Sequence, residues 1–194
     1  MVKDIILASQ SPRRKQLMEW AEIKFEVVTV GTDENFPEGM NVEEVPVFIA
    51  REKALAVKEK LKNAYHALYA HKAVVAADTI VVLDGMVIGK PTDRDDAIKI
   101  LSSLSGRKHK VITGVVILQD EKEIRFNDIT EVEFHPLTQQ QIEFYVDKYK
   151  PYDKAGAYAI QEWIGVIGIK KIEGDFYNVM GLPVSKVVQH LLTL

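Results

Sequence analysis

The sequence lacks cysteine, long apolar runs and an excess of positive charge. Without cysteine there is no disulfide framework, thiol nucleophile or zinc-thiolate site. No window reaches the roughly 18 apolar residues of a membrane span, and the apolar stretch near the N-terminus is too short for a signal peptide. We therefore expect a soluble cytoplasmic protein without a membrane partner.

The charge balance argues against a protein that holds nucleic acid through its phosphates. The formal net charge is −3, from 25 basic and 28 acidic side chains, whereas such proteins carry a basic excess. Any anion binding must therefore be local. With 194 residues, 47% of them hydrophobic, and no linker-like segment, the sequence predicts a single domain spanning residues 1–194.

Apolar periodicity and turn signals predict an irregular alternation of strands and helices. Strands are expected at 5–8, 25–30, within 73–91 around an Asp84-Gly85 hairpin, and at 110–118 and 124–134. Helices are expected over 12–21, from Pro46, and over 93–104, 138–149 and 183–192, with a glycine-punctuated strand region before the last. The spacing differs from that of a doubly wound fold, so we predict a mixed α/β fold with a central mixed sheet flanked by helices.

The long helix from Pro46 carries an apolar stripe, Ala50, Ala54, Val57 and Leu61. Such a stripe faces either the core of its own domain or a partner protein. We favour the core, because a stripe at helical spacing is the usual sign of a helix packed on its own domain.

Three segments carry residues suited to chemistry, and the first opens a helix. Arg13 and Arg14 occupy the first helical turn beside the hydroxyls of Ser9 and Ser11. Positive charge at a helix N-terminus is unfavourable unless an anion binds, so the arrangement suits a phosphate. The alternative is two solvated arginines that merely flank the helix.

The second segment places Asp78 and Thr79 inside an apolar, β-branched run. A buried carboxylate is costly without a partner, which a metal ion or a proton-transfer role would supply. The alternative is an aspartate at a strand end that caps a turn. Gly89-Lys90-Pro91, beyond the hairpin, lacks the Walker A frame and alone predicts a turn with an exposed lysine.

The third segment combines small residues with hydrogen-bonding side chains, at 153–161 and 174–183. Close backbone approach and polar groups such as Gln161 suit a pocket for a nucleotide base. Taken singly, these are ordinary turn glycines and a surface amide. Asp33 and Glu34, in a polar loop, could add carboxylates for a hard cation such as magnesium, although a charged loop is usually just solvated.

Together these segments resemble the Maf family of nucleoside triphosphate pyrophosphatases, also called septum formation proteins. The resemblance runs nearly end to end: LASQSPRR at 7–14, DE at 33–34, AREKA at 50–54, AADTIV at 76–81, GKP at 89–91, LSGRKHKVITGV at 104–115, DKAGAYAIQ at 153–161 and GDFYNVMGLP at 174–183. Each motif alone is weak. The eight in one order are highly specific.

The resemblance implies an inosine-triphosphatase-like fold whose two lobes enclose a nucleotide cleft. It also implies hydrolysis between the α and β phosphates with a divalent cation, Mg²⁺ or Mn²⁺, in a protein for which a homodimer is a reasonable expectation. By motif position, the resemblance assigns proton acceptance to Asp78, substrate choice to Arg13, Thr79 and Gln161, phosphate contacts to Arg14, Lys53 and Lys90, a further cleft position to Ser9, and metal binding to Glu34 with Asp78.

The pairing of SPRR with AYAIQ is typical of members that act on dTTP and UTP, and modified pyrimidine triphosphates are further candidate substrates. Members that act on 7-methyl-GTP tend to differ at the first arginine. Glu162-Trp163-Ile164 follows Gln161, where many members have a glycine-rich stretch. Two alternatives stay open: a 7-methyl-GTP pyrophosphatase, and a regulator of septum formation that binds nucleotide without turnover.

Overall fold

A computed structural model describes residues 4–69 and 71–194, without the side chains of 63–68. The strands are β1 (Ile5–Leu7), β2 (Phe25–Val27), β3 (Val74–Leu83), β4 (Met86–Ile88), β5 (Lys108–Gln119), β6 (Lys122–Phe134) and β7 (Ile169–Glu173). The helices are α1 (Pro12–Trp20), α2 (Val45–Tyr69), α3 (Arg94–Leu104), α4 (Gln139–Tyr149), α5 (Trp163–Gly168), α6 (Phe176–Met180) and α7 (Val184–Leu191), with a 3₁₀ turn at Ala155–Ala157. Residues 1–3 lie outside the described residues. They belong to the N-terminal segment in which the sequence predicts no signal peptide.

The strands form one mixed sheet in the order β2-β1-β3-β5-β6-β7, with β4 paired to β3. β1 runs parallel to β2 and to β3, whereas β3 with β4 and β6 with β7 are antiparallel. The predicted mixed α/β class is therefore confirmed. Among the described residues, no helix combines the length and apolar character needed to cross a bilayer.

Local signals place most of the elements. Ser11 caps α1 and Asp93 caps α3, each accepting a hydrogen bond from a backbone N–H of the first turn. Thr138 with Gln141 forms the predicted capping box of α4. At the β3–β4 hairpin, Asp84 and Gly85 both have positive φ, 52° and 79°, as a type I′ turn requires.

The prediction of a strand region before the last helix is wrong in most of its length. β7 is a strand there, whereas the 3₁₀ turn, α5 and α6 are helical. In α5 the buried residues Ile164 and Gly168 are four apart and Val166 is 79% exposed, which is helical spacing. Six residues are too few for that period to be distinguished from a strand in the sequence.

The contacts divide the chain into two compact units. The first comprises Met1–Asp78, Thr113–Asp128 and Gly181–Leu194, and the second comprises Thr79–Ile112 and Ile129–Met180. β3, β5 and β6 each contribute residues to both units. The single domain over 1–194 stays a prediction, as does the nucleotide cleft.

The core of the first unit includes the whole apolar stripe of α2. Ala50, Ala54, Val57 and Leu61 are all buried, in one cluster with residues of β1, β3 and β5. The core-facing interpretation of that stripe is therefore confirmed. β5 and α2 approach closely at Gly114, where an added Cβ would lie 2.2 Å from the α2 backbone.

Candidate active site

Asp78 lies within a continuous strand, next to fully buried Ala76 and Ala77. Its side chain is 13% exposed and accepts a hydrogen bond at 2.8 Å from Lys53 Nζ. The alternative of an aspartate capping a turn at a strand end is wrong, because β3 continues to Leu83. The partner that a poorly solvated carboxylate needs is thus a lysine ammonium.

Lys53 also binds a second carboxylate. α2 presents Lys53 beside the buried Ala54, and its Nζ donates at 2.6 Å to Oε1 of Glu34, whose side chain is 49% exposed. One ammonium therefore holds two acidic side chains that are 44 residues apart in the chain, Glu34 and Asp78. Asp33, which precedes Glu34 in the chain, accepts hydrogen bonds from the backbone and side-chain nitrogens of Asn35. These bonds shape the loop that carries Glu34.

Contacts within the first unit hold the Arg14 side chain. Its Nη1 donates at 3.2 Å to Oγ of the buried Ser9, and its Nε donates at 2.7 Å to the carbonyl of Gly181. The Ser9 hydroxyl also accepts from the backbone N–H of Ser11 at 3.2 Å. These contacts orient the guanidinium before any ligand arrives.

Neighbouring charges and burial both affect the pKa of Arg14. Burial lowers the pKa of Arg14, and the charge of Arg13 lowers it further. The negative charges of Asp78 and Glu34 act in the opposite direction and raise that pKa. Within the first unit, Arg13, Glu34 and Asp78 thus each interact electrostatically with Arg14, and Lys53 binds both carboxylates.

The residues present fit a divalent cation whose ligand set is completed by a substrate. In the part of the chain that the structure describes, no three His, Cys, Asp or Glu side chains gather as an all-protein metal site. Magnesium in nucleotide enzymes commonly takes only one or two carboxylates and receives the rest of its oxygens from phosphates and water. Glu34 and Asp78, which both form ion pairs with Lys53, are two carboxylates of that kind.

The other predicted site residues belong to the second unit. Thr79 follows Asp78 along β3 and is half-buried, whereas Lys90 is exposed after β4. Gln161 is exposed at the end of a buried run from Gly156 to Ile160. Within this unit the backbone N–H of Gly156 donates at 3.1 Å to the carbonyl of Gly89, so the GKP motif at 89–91 contacts the segment that carries Gln161.

Sequence reasoning missed the side chains that hold this segment. Tyr145 in α4 is fully buried and its hydroxyl contacts both Ala159 and Glu162. In the sequence Tyr145 is one more apolar position of an amphipathic helix, and no local signal distinguishes it. His109 is a second case: it is 2% exposed and its Nε2 lies 2.7 Å from the hydroxyl of Tyr158.

The sequence is similar to a protein family and to named proteins of other organisms. A family model described as Maf-like protein matches residues 4–194. A dTTP/UTP pyrophosphatase of Cytophaga hutchinsonii is 51% identical over 97% of this chain and 83% of its own. Those of Phocaeicola vulgatus and Bacteroides thetaiotaomicron are each 46% identical over 98% of this chain and 95% of their own.

Among solved structures, the Ham1 protein of Staphylococcus aureus overlaps with a TM-score of 0.41 at 16% identity, covering 68% of this chain and 72% of that one. This overlap is too low to define the fold. The family match, in contrast, spans residues 4–194, and the three relatives cover 97–98% of this chain. The chain belongs to the Maf-like protein family.

Proposed function

We propose that this chain is a nucleotide pyrophosphatase that hydrolyses dTTP and UTP to the nucleoside monophosphate and pyrophosphate. The observation that carries the proposal is that relatives 46–51% identical over nearly the whole chain bear the name dTTP/UTP pyrophosphatase. The arrangement of cations and carboxylates in the first unit supports the reaction class independently of those names.

Binding of a triphosphate requires cations, because the substrate brings about four negative charges to a protein of net charge −3. Arg13, Arg14 and Lys53 supply them in the first unit, and Lys90 supplies one in the second. Arg14 is already oriented by Ser9 and Gly181. A guanidinium fixed in this way loses less freedom on binding phosphate than a solvated one does.

Glu34 and Asp78 would hold the divalent cation, which we propose to be Mg²⁺ or Mn²⁺. When bound, the cation would stabilise negative charge on the phosphoryl oxygens and on the leaving pyrophosphate. Lys53 already sits against both carboxylates. Its ammonium offsets the repulsion between the two acidic groups, and its third N–H can donate to a phosphate oxygen.

Asp78 is the proposed proton acceptor. A water molecule attacks the α-phosphorus and passes a proton to the Asp78 carboxylate, the bridging bond between the α-phosphorus and the β-phosphate oxygen breaks, and pyrophosphate leaves with the bond's electron pair. Lys53 donates to Oδ1 of Asp78 at 2.8 Å, so we assign the contact with the attacking water to the other carboxylate oxygen. No covalent nucleophile is required, in keeping with a sequence without cysteine.

Arg13, Thr79 and Gln161 are the proposed determinants of substrate choice. Thr79 and Gln161 can each donate and accept hydrogen bonds, as recognition of a pyrimidine edge requires. Modified pyrimidine triphosphates fall within the same proposal. We further propose that the chain acts as a single domain in the cytoplasm, where its substrates are made, as a homodimer without a nucleic-acid or membrane partner.

A substrate panel tests the proposal. Purified protein with Mg²⁺ or Mn²⁺ is incubated with dTTP, UTP, the other common triphosphates and 7-methyl-GTP, and products are followed by phosphorus NMR. We expect pyrophosphate and the monophosphate from dTTP and UTP. Orthophosphate as the product would contradict the proposed reaction. A preference for 7-methyl-GTP would contradict the substrate, and tight binding without turnover would indicate a nucleotide-binding regulator.

A further inference from the structure

The segment that carries Gln161 is held in an unfavourable backbone conformation. Ala157 has a φ of +58°, in the left-handed region that side chains other than glycine rarely adopt. Gly156 has a φ of +71°, and an added Cβ would lie 2.8 Å from Cγ2 of Val81. A segment with such a backbone persists only if its surroundings enforce it.

One tyrosine hydroxyl enforces the end of the segment. Oη of Tyr145 accepts a hydrogen bond at 3.1 Å from the backbone N–H of Ala159, and it donates a hydrogen bond to Oε2 of Glu162. These two residues lie just before and just after the pair Ile160-Gln161. The backbone N–H of Glu162 also donates at 3.1 Å to the carbonyl of Ala159, which closes the turn.

The positive charge of Lys154 orients the Glu162 carboxylate. Lys154 is 8% exposed, and its Nζ lies 3.7 Å from Oε1 of Glu162 and 2.7 Å from Oδ1 of Asp153. The carboxylate is therefore oriented by the Tyr145 hydroxyl at one oxygen and by an ammonium near the other. A buried ammonium and a buried hydroxyl restrict this carboxylate more than solvent would.

The result is a turn in which five successive buried residues, 156–160, end in an exposed amide side chain at Gln161. An exposed glutamine on a mobile loop samples many orientations. On this turn its backbone is held within the second unit before a ligand arrives, and preorganisation of that kind reduces the entropy lost on binding.

We propose that Tyr145 and Glu162 are positioning residues for Gln161, holding its turn so that the amide meets the base of a pyrimidine nucleotide. The inference rests on the proposed function. Neither residue touches the nucleotide; both act through the backbone of 159–162. Loss of the Tyr145 hydroxyl should therefore weaken binding and base selectivity while leaving the chemical step intact.

The first test compares Tyr145→Phe with Tyr149→Phe. Tyr149 lies one turn along α4 with its ring stacked on that of Tyr145 at 5.0 Å, so the control removes a hydroxyl from the same helix. We expect Tyr145→Phe to raise the KM for dTTP about fivefold to tenfold with kcat within twofold. Discrimination against purine triphosphates should fall by a similar factor, and Tyr149→Phe should match the wild type.

A double-mutant cycle then tests whether Tyr145 acts through Gln161. In a Gln161→Ala background, Tyr145→Phe should change KM by less than twofold, because the group that it positions is gone. If the two effects multiply instead, Tyr145 acts independently of Gln161 and the inference is wrong. Equal KM and selectivity for Tyr145→Phe and wild type would overturn it as well.

Glu162→Gln gives a second, milder variant. The amide oxygen can still accept from Tyr145, but the attraction to Lys154 is lost, so we expect a smaller rise in KM of about twofold to threefold. Hydrogen exchange of residues 155–162 should be faster in Tyr145→Phe than in wild type or Tyr149→Phe. Unchanged exchange would contradict the positioning role whatever the kinetics show.

Binding separates failure of this inference from failure of the proposed function. The probe is the non-hydrolysable α,β-imido analogue of dTTP, titrated calorimetrically into the wild type and both tyrosine variants. If the wild type binds the probe but hydrolyses nothing, the proposed function fails, and the inference is judged by the loss of affinity in Tyr145→Phe alone. If the wild type does not bind the probe, both are overturned.

Discussion

Replacement of Asp78 by asparagine separates chemistry from binding at the candidate site. Asparagine keeps the shape of the side chain and an oxygen that can accept from Lys53, which lies 2.8 Å from Asp78 Oδ1. It cannot accept a proton from water. We therefore expect kcat to fall by about 100-fold or more, the usual contribution of a positioned general base, while the KM for dTTP changes by less than about threefold.

The free-energy scale follows from these factors. A 100-fold fall in kcat corresponds to about 2.7 kcal/mol of lost transition-state stabilisation. The folded state should lose less, about 1–2 kcal/mol, because only one charge-assisted hydrogen bond of a side chain that is 13% exposed is weakened. In a domain of this size a loss of 1 kcal/mol lowers Tm by about 2–4 °C, so the variant should remain folded at 25 °C.

The assay measures initial rates of pyrophosphate release across dTTP concentrations, with Tm and circular dichroism to establish folding. Glu34→Gln is the matched control, since Glu34 contacts the same Lys53 nitrogen but its side chain is 49% exposed. It should raise the Mg²⁺ concentration needed for half-maximal rate and lower kcat less than Asp78→Asn does. An unchanged kcat in folded Asp78→Asn would remove Asp78 from the role of base.

Three further predictions concern the supports of the site. Arg14→Lys should raise the KM for dTTP about tenfold in the same rate assay, because one ammonium cannot replace a guanidinium held through both Nε and Nη1; an unchanged KM would contradict a phosphate-binding role. Burial lowers the pKa of His109 from 6.5 to about 4. As the pH falls, the histidine is therefore protonated in the unfolded chain before it is protonated in the folded one, and the folded state loses stability between about pH 6.5 and pH 4. Urea titrations at pH 7 and at pH 5 give the free energy of unfolding, and its decrease between these pH values should be about 2 kcal/mol smaller in His109→Gln than in the wild type. Equal decreases in the two proteins would contradict the effect of burial on His109. Gly156→Ala should destabilise by about 1–3 kcal/mol more than Gly85→Ala in the same urea titration, since both glycines have positive φ but only the Cβ at 156 meets Val81; equal costs would contradict the close packing.

Sequence patterns predict most elements of the fold because the signals are local. The Ser11 and Asp93 caps, the Thr138 capping box and the Asp84-Gly85 hairpin each depend on residues a few positions apart. Outside β7, the strand prediction for the stretch between Ala155 and Met180 is wrong for the opposite reason. Its helices are five or six residues long, and their positions depend on packing against distant residues.

The candidate site was only partly predictable. Asp78 is conspicuous in the sequence because it interrupts an apolar strand, and its lysine partner is not, because Lys53 is one of several basic residues on α2. The carbonyl that orients Arg14 belongs to Gly181, 167 residues further along the chain. Such pairings depend on the folded chain rather than on any local pattern.

The path of the attacking oxygen tests the proposed reaction most directly. The protein hydrolyses dTTP in H₂¹⁸O with Mg²⁺, and mass spectrometry locates the label in the products. Attack of water on the α-phosphorus predicts one ¹⁸O in dTMP and none in pyrophosphate. Label in pyrophosphate, or release of orthophosphate in place of pyrophosphate, would contradict it.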